Sequence, residues 1–245
     1  MQHYNYEEIE RCSMEIQKDL IALSDAGYRE FQARLIPTVD KEKILGVRIP
    51  QLRRYAKTLS SEQTELFLSV LPHNYYEENC LHGLLIEQIY DFDACVVALR
   101  RFLPYVDNWA TCDIISPRIF AQNKAALLPV MKAGLTEKSV YAVRFWLRML
   151  MIYFLKDDFQ ASFFDWVAAV RRGDYYLYMM VAWYFATALA YQPESAFAFL
   201  STDQLDARTR RKAIQKALES NRVSLEMKEK LRALRAQIGL CAQEE

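Results

Sequence analysis

The chain has 245 residues, 52% of them hydrophobic and 25% charged, with 31 basic residues balanced by 31 acidic ones. That length and apolar content suffice for a large core, whereas a net charge of zero gives no bulk support to a nucleic-acid or membrane partner, so any such role must rest on local patches. Six glycines and seven prolines are few for this length, which disfavours a sandwich or barrel and points to long helices.

Helical periodicity runs through the chain. The segment IERCSMEIQKDLIAL places Ile9, Met14, Ile16, Leu20 and Leu23 at helical spacing. In IPQLRRYAKTL the helix is expected to start after Pro50, a good first-turn residue. SSEQTELFLSVL opens on Ser61 as a candidate N-cap and is stopped by Pro72. NYYEENCLHGLLIEQIY and DFDACVVALRRFL follow, with Asp91 between them as a candidate cap, and Pro117 and Pro129 punctuate the middle. The second half reads as SVYAVRFWLRMLMIYFL, DFQASFFDWVAAVRR, YYLYMMVAWYFATALAY, PESAFAFL, LDARTRRKAIQKALES and SLEMKEKLRALRAQI. No alternating run of strand length competes. The uncharged stretch 175–191 is at the lower length limit for a membrane span. Its tyrosines and small residues fit a buried central helix better, so no membrane association is expected.

The helices pair through short links. First helices of successive pairs begin near 76, 109, 139, 175 and 206. Steps of 30–36 residues suggest HEAT-type repeats in an all-α, curved α-solenoid, a single domain over 1–245, with a compact irregular bundle as the alternative. A capped solenoid would be content as a monomer.

Five cysteines (Cys12, Cys80, Cys95, Cys112, Cys241) form no CxxC pair, and the histidines are His3, His73 and His82. Neither a metal centre nor a disulfide framework is expected. MQHYNYEEIERC is acidic and lacks the apolar core of a secretory signal, so a cytoplasmic location is expected.

Charge is uneven along the chain. Residues 41–57 carry a net +5 and residues 206–222 a net +4, while 75–95 carry −5. Such runs usually form solvated faces; two basic runs lining one surface would instead suit a phosphate backbone. Three further features stand out. Trp109 and Asp113 lie four residues apart and share a helix face. Arg144 and Arg148 share one face of an otherwise apolar helix, projecting to solvent, clamping a phosphate or orienting Asp113. Trp183 sits in the uncharged helix, where core packing is the plain expectation.

Several stretches, in order along nearly the whole chain, resemble one family: LGVRIPQLRRYAK (45–57), YYEENCLHGLLI (75–86), DNWATCDIISP (107–117), YAVRFWLRML (141–150), YYLYMMVAWYFATALA (175–190) and TRRKAIQKALESNRVS (209–224). The chain resembles the DNA alkylation repair family, the HEAT-like-repeat 3-methyladenine/7-alkylguanine DNA glycosylases of the AlkC/AlkD type. The resemblance implies a catalytic set of Asp113, Trp109, Arg144 and Trp183 on a concave face. It also implies double-stranded DNA carrying alkylated purines as the partner, and neither cofactor nor metal. Arg148, Lys43, Arg48, Arg210, Arg211 and Lys212 are the expected DNA-backbone contacts. The other reading is a non-catalytic HEAT-repeat scaffold that binds DNA or a protein.

Overall fold

With few glycines and prolines to interrupt it, the backbone satisfies its own hydrogen bonds in helices. The computed structural model describes residues 4–241; it is 71% helix, and among the described residues there is no strand. His3 and the side chain of Cys241 lie outside the described residues.

The chain divides into two compact units, Met1–Asn123 and Lys124–Glu245. The first contains α1 (Tyr6–Ala22), α2 (Ala26–Leu35), α3 (Ile49–Ala56), α4 (Ser61–Ser69), α5 (Tyr76–Ile86), α6 (Phe92–Phe102), α7 (Trp109–Ile114) and α8 (Ile119–Gln122), with 3-10 turns at Lys41–Lys43 and Leu103–Tyr105. The second contains α9 (Lys124–Gly134), α10 (Val140–Phe154), α11 (Ser162–Ala168), α12 (Tyr175–Tyr191), α13 (Pro193–Leu200), α14 (Ala207–Glu219) and α15 (Leu225–Cys241). Helices α5, α7, α10, α12 and α14 begin at 76, 109, 140, 175 and 207, within a residue of the expected starts.

Inside each unit these helices stack on one another. In the first, α5 packs against α3 and α7; in the second, α12 packs against α10 and α14. Their sequence partners pack beside them: α6 on α5, α13 on α12, α15 on α14. Alternate helices in one layer, each backed by its neighbour in sequence, is the arrangement of stacked helical pairs. Ile16, Leu20, Val47, Leu52, Phe67, Leu81 and Leu85 form the core of the first unit. The second is built on buried aromatics: Trp146, Phe154, Phe163, Phe164, Tyr184 and Phe185. Phe185 stacks on Phe199 with centroids 5.2 Å apart. A Cβ on Gly134 would lie 2.1 Å from the Trp146 ring, so α9 can approach α10 only because that position has no side chain.

Several local expectations are revised. Ser60, not Ser61, caps α4: its hydroxyl accepts from the Gln63 backbone N–H, and the Gln63 side-chain oxygen accepts from the Ser60 N–H, a capping box. That helix ends at Ser69, before Pro72 is reached. Asp91 does cap α6, accepting from Ala94 N at 2.8 Å. Pro129 lies inside α9. Its ring removes one backbone bond, but Leu127 and Met131 on either side are fully buried and hold the helix in place. The helix over 175–191 is central to its unit as expected, and no helix among the described residues is long and apolar enough to cross a membrane.

The acidic run over 75–95 is a solvated face only at its end, where Asp91 and Asp93 are exposed. Every residue of α5 is buried, Glu77 and Glu78 included. Glu77 is fully enclosed and accepts from the backbone N–H groups of Leu45 (2.8 Å), Gly46 (2.7 Å) and Val47 (3.2 Å). Burial raises its carboxyl pKa while these three bonds oppose the rise. Gly46 makes the loop possible: its φ is +92°, and a Cβ there would lie 2.3 Å from the Asp25 carbonyl oxygen. Glu78 accepts from the N–H groups of Asn74 and Tyr75.

Candidate active site

In the first unit the candidates Trp109 and Asp113 sit on α7. Asn108 is fully buried and caps this helix, accepting from Thr111 N at 2.8 Å and donating to Thr111 Oγ1 at 3.0 Å. The cap fixes the first residue, Trp109. Its indole is half-buried against the unit's core, and Nε1–H donates to the Leu35 carbonyl at 3.1 Å. One turn on, Asp113 is also half-buried. The expected shared face is therefore realised: an anchored ring and a carboxylate partly open to solvent, four residues apart.

In the second unit Arg144 and Arg148 sit on α10. A solvent stripe was one expectation for both. Arg144 is instead buried, 6% exposed, and its Nη1 donates to the Tyr176 carbonyl at 2.8 Å. A guanidinium tolerates burial when its donors are met. Arg148 is half-buried. Trp183 departs from the core expectation in the other direction: it is 37% exposed while Tyr184 and Phe185 beside it are fully buried. Its indole lines a groove of about 440 Å³ beside the C-terminal end of α14, shared with Thr187, Lys216, Glu219, Ser220 and Arg222. Burial lowers the Lys216 pKa, and the nearby positive charges of Lys212 and Arg144 lower it further, against the pull of Glu219. An aromatic face beside a set of cations is the arrangement that accepts a nucleotide's base or sugar together with its phosphate. In the sequence Lys216 and Arg222 stood out only as members of a basic run. Their place on the Trp183 groove follows from α12 and α14 packing in register, which spacing does not show.

The basic runs are partly engaged within the protein. Arg48 pairs with Asp25 at 2.7 Å and covers the Tyr28 ring at 4.6 Å. Lys41 pairs with Glu30, and Arg53 with Glu87. Lys43 is exposed on its 3-10 turn. In the second run Arg208 lies over Tyr178 at 4.4 Å. Arg210 is half-buried, donates to the Thr202 carbonyl, and has a buried Nε without a hydrogen-bond partner. Arg211 and Lys212 are half-exposed.

Among the described residues no group of three or more His, Cys, Asp or Glu side chains could hold a metal ion. His73 and His82 meet at 2.8 Å between the rings of Phe67 and Phe102. Burial lowers them to about 4 and about 2, and His73 adds to the shift at His82. Cys12, Cys80, Cys95 and Cys112 are all buried. Burial pushes the Cys80 and Cys95 thiols up to about 12, so neither is a ready nucleophile.

A search of curated proteins found no match. The profile of one family, described as DNA alkylation repair enzyme, matches residues 16–219. That span runs from within α1 to the end of α14 and takes in Trp109, Asp113, Arg144, Arg148 and Trp183. The chain belongs to the DNA alkylation repair enzyme family.

Proposed function

We propose that the protein is a DNA glycosylase that hydrolyses the N-glycosidic bond of cationic N3- or N7-alkylated purines in duplex DNA. The observation that carries this reading is the Trp109–Asp113 pair: a carboxylate partly open to solvent one turn from an anchored indole, in a chain of this family.

An alkylated purine of this kind already carries a positive charge, so it leaves without prior protonation. As the C1′–N bond breaks, its electron pair goes to the purine, which departs neutral. Positive charge passes to the deoxyribose. The ionised Asp113 stabilises that oxocarbenium-like sugar and orients water for attack at C1′; the water's proton is released to the carboxylate or to solvent. A cationic lesion is attracted to an indole face by about 0.5–2 kcal/mol per contact, most when water is excluded. Trp109 offers such a face in the first unit, and Trp183 offers one in the second. Arg144 orients the lesion strand through a phosphate, with Arg148 beside it, and Lys43, Arg211 and Lys212 add contacts that do not depend on sequence. Arg48 contributes less, because the Asp25 carboxylate already neutralises it; Arg210, like Arg144, holds a backbone carbonyl and keeps its charge for a phosphate. No cofactor or metal is needed to cleave so activated a bond, and a monomer suffices.

The test is direct. Purified protein incubated with methylated duplex DNA is expected to release free 7-methylguanine or 3-methyladenine, detected by chromatography. Duplex binding without release of either base would contradict the proposal and leave a DNA-binding scaffold.

A further inference from the structure

Helix α7 carries Trp109 and Asp113, yet it is only six residues long. So short a helix is marginal by itself, and its last carbonyls have no partners within it. Its position must come from outside. Asn108 secures the N-terminal end, and Trp109 Nε1 ties one side to Leu35. The C-terminal end is held by two side chains from the neighbouring helices of the same layer. Arg53 of α3 donates through Nη2 to the Ile114 carbonyl at 3.0 Å. Glu87, the residue that ends α5, accepts from the Ser116 N–H through Oε1. The other guanidinium nitrogen and the other carboxylate oxygen join at 2.6 Å. The bridge thus grips the residue directly after Asp113 and the third residue after it. Glu87 is mostly enclosed, its side chain 12% exposed; that of Arg53 is 46% exposed.

We propose that Arg53 and Glu87 are positioning residues for Asp113: they hold the C-terminal end of α7 so that its carboxylate meets the sugar, an assignment that rests on the catalytic reading of Asp113 above. The polarity of the bridge matters. A guanidinium donates to the Ile114 carbonyl and a carboxylate accepts from the Ser116 N–H, so neither role can be exchanged between the two positions. The ion pair itself is partly exposed, and such pairs add little to stability. Loss of the bridge therefore acts on placement more than on folding, and small misplacements of a catalytic group can slow a reaction by ~100-fold.

Three measurements on the full chain test this: single-turnover release of 7-methylguanine from methylated duplex, affinity and salt slope on undamaged duplex, and amide hydrogen exchange of residues 109–116. Arg53→Ala is expected to slow release by ~10–100-fold, speed exchange across 109–116 and leave affinity and salt slope unchanged. Arg53→Lys, which keeps the charge but only one donor nitrogen, should recover part of the rate. The charge-swapped double variant Arg53→Glu/Glu87→Arg restores opposite charges but reverses donor and acceptor. It is expected to recover neither the rate nor the slow exchange. Unchanged exchange in Arg53→Ala would overturn the proposal, as would full recovery by the swap. A salt slope lowered by about one would also overturn it, by placing Arg53 on a phosphate. If the wild-type protein releases no base, the glycosylase reading falls, and exchange alone decides whether the pair holds α7.

Discussion

Helices α5 and α12 hold equivalent places in their units, each packed between the preceding and the following helix of one layer. Their side chains behave in opposite ways. In α5 two glutamates, an asparagine and a histidine are all buried. In α12, which carries no charge at all, a tryptophan is 37% exposed on a groove. What decides burial is the neighbour, not the residue's polarity. Glu77 is enclosed because a loop turned by Gly46 aims three N–H groups at it. Trp183 is open because the end of α14 and the residues after it present Lys216, Glu219, Ser220 and Arg222 beside it rather than apolar packing. A buried carboxylate thus serves folding in one unit, and an exposed ring is free for binding in the other.

The contrast can be broken from either side. The largest effect is expected at Glu77. Glu77→Ala leaves two buried N–H groups and one part-buried one without an acceptor, at about 1–3 kcal/mol for each buried group. The first unit should lose about 3 kcal/mol or more in denaturant unfolding; Glu77→Gln, which keeps one carboxamide oxygen, should fall between. A loss below about 1 kcal/mol would mean that solvent reaches the loop.

A second test uses acid. His73 and His82 stay neutral in the folded protein, at about 4 and about 2 against an ordinary 6.5. Because both folded values are depressed, the unfolded chain takes up protons first as pH falls. Stability is fully present above about pH 6.5 and declines toward pH 4, by about 2 kcal/mol per imidazole at pH 5. Residues 124–245 contain no histidine, so this loss belongs to the first unit. Thermal unfolding at pH 7 and pH 5 should show it, and His82→Phe should flatten it. An equal decline in that variant would assign the effect to other groups.

A smaller change in stability, but a clear change in function, is expected at Trp183. Trp183→Ala should alter unfolding by less than about 1 kcal/mol, as exposed substitutions do, while slowing release of a cationic base by about 2- to 30-fold. Trp146→Ala, in the core, should instead cost about 3–5 kcal/mol. Equal destabilisation by the two would make Trp183 a packing residue.

Much of this fold could be read along the chain because it is local. The starts of α5, α7, α10, α12 and α14 follow from apolar spacing, that of α6 from its cap Asp91, and the shared face of Trp109 and Asp113 is a consequence of helix geometry alone. What escaped was set by partners remote in sequence and often by backbone atoms. Glu77 meets N–H groups about 30 residues earlier, Arg144 a carbonyl at Tyr176, and Arg53 a carbonyl at Ile114. A carbonyl or amide has no residue type, so no pattern of side chains announces it. The same limit hid Lys216 and Arg222, whose relation to Trp183 depends on the register between α12 and α14.

The central claim is that an ionised Asp113 drives base release. Asp113→Asn keeps the shape of the side chain and removes its charge. In single-turnover assays on methylated duplex, the variant is expected to release 7-methylguanine ~10²–10³-fold more slowly than the wild-type protein, with affinity for undamaged duplex unchanged. Equal rates of release from the two proteins would contradict it.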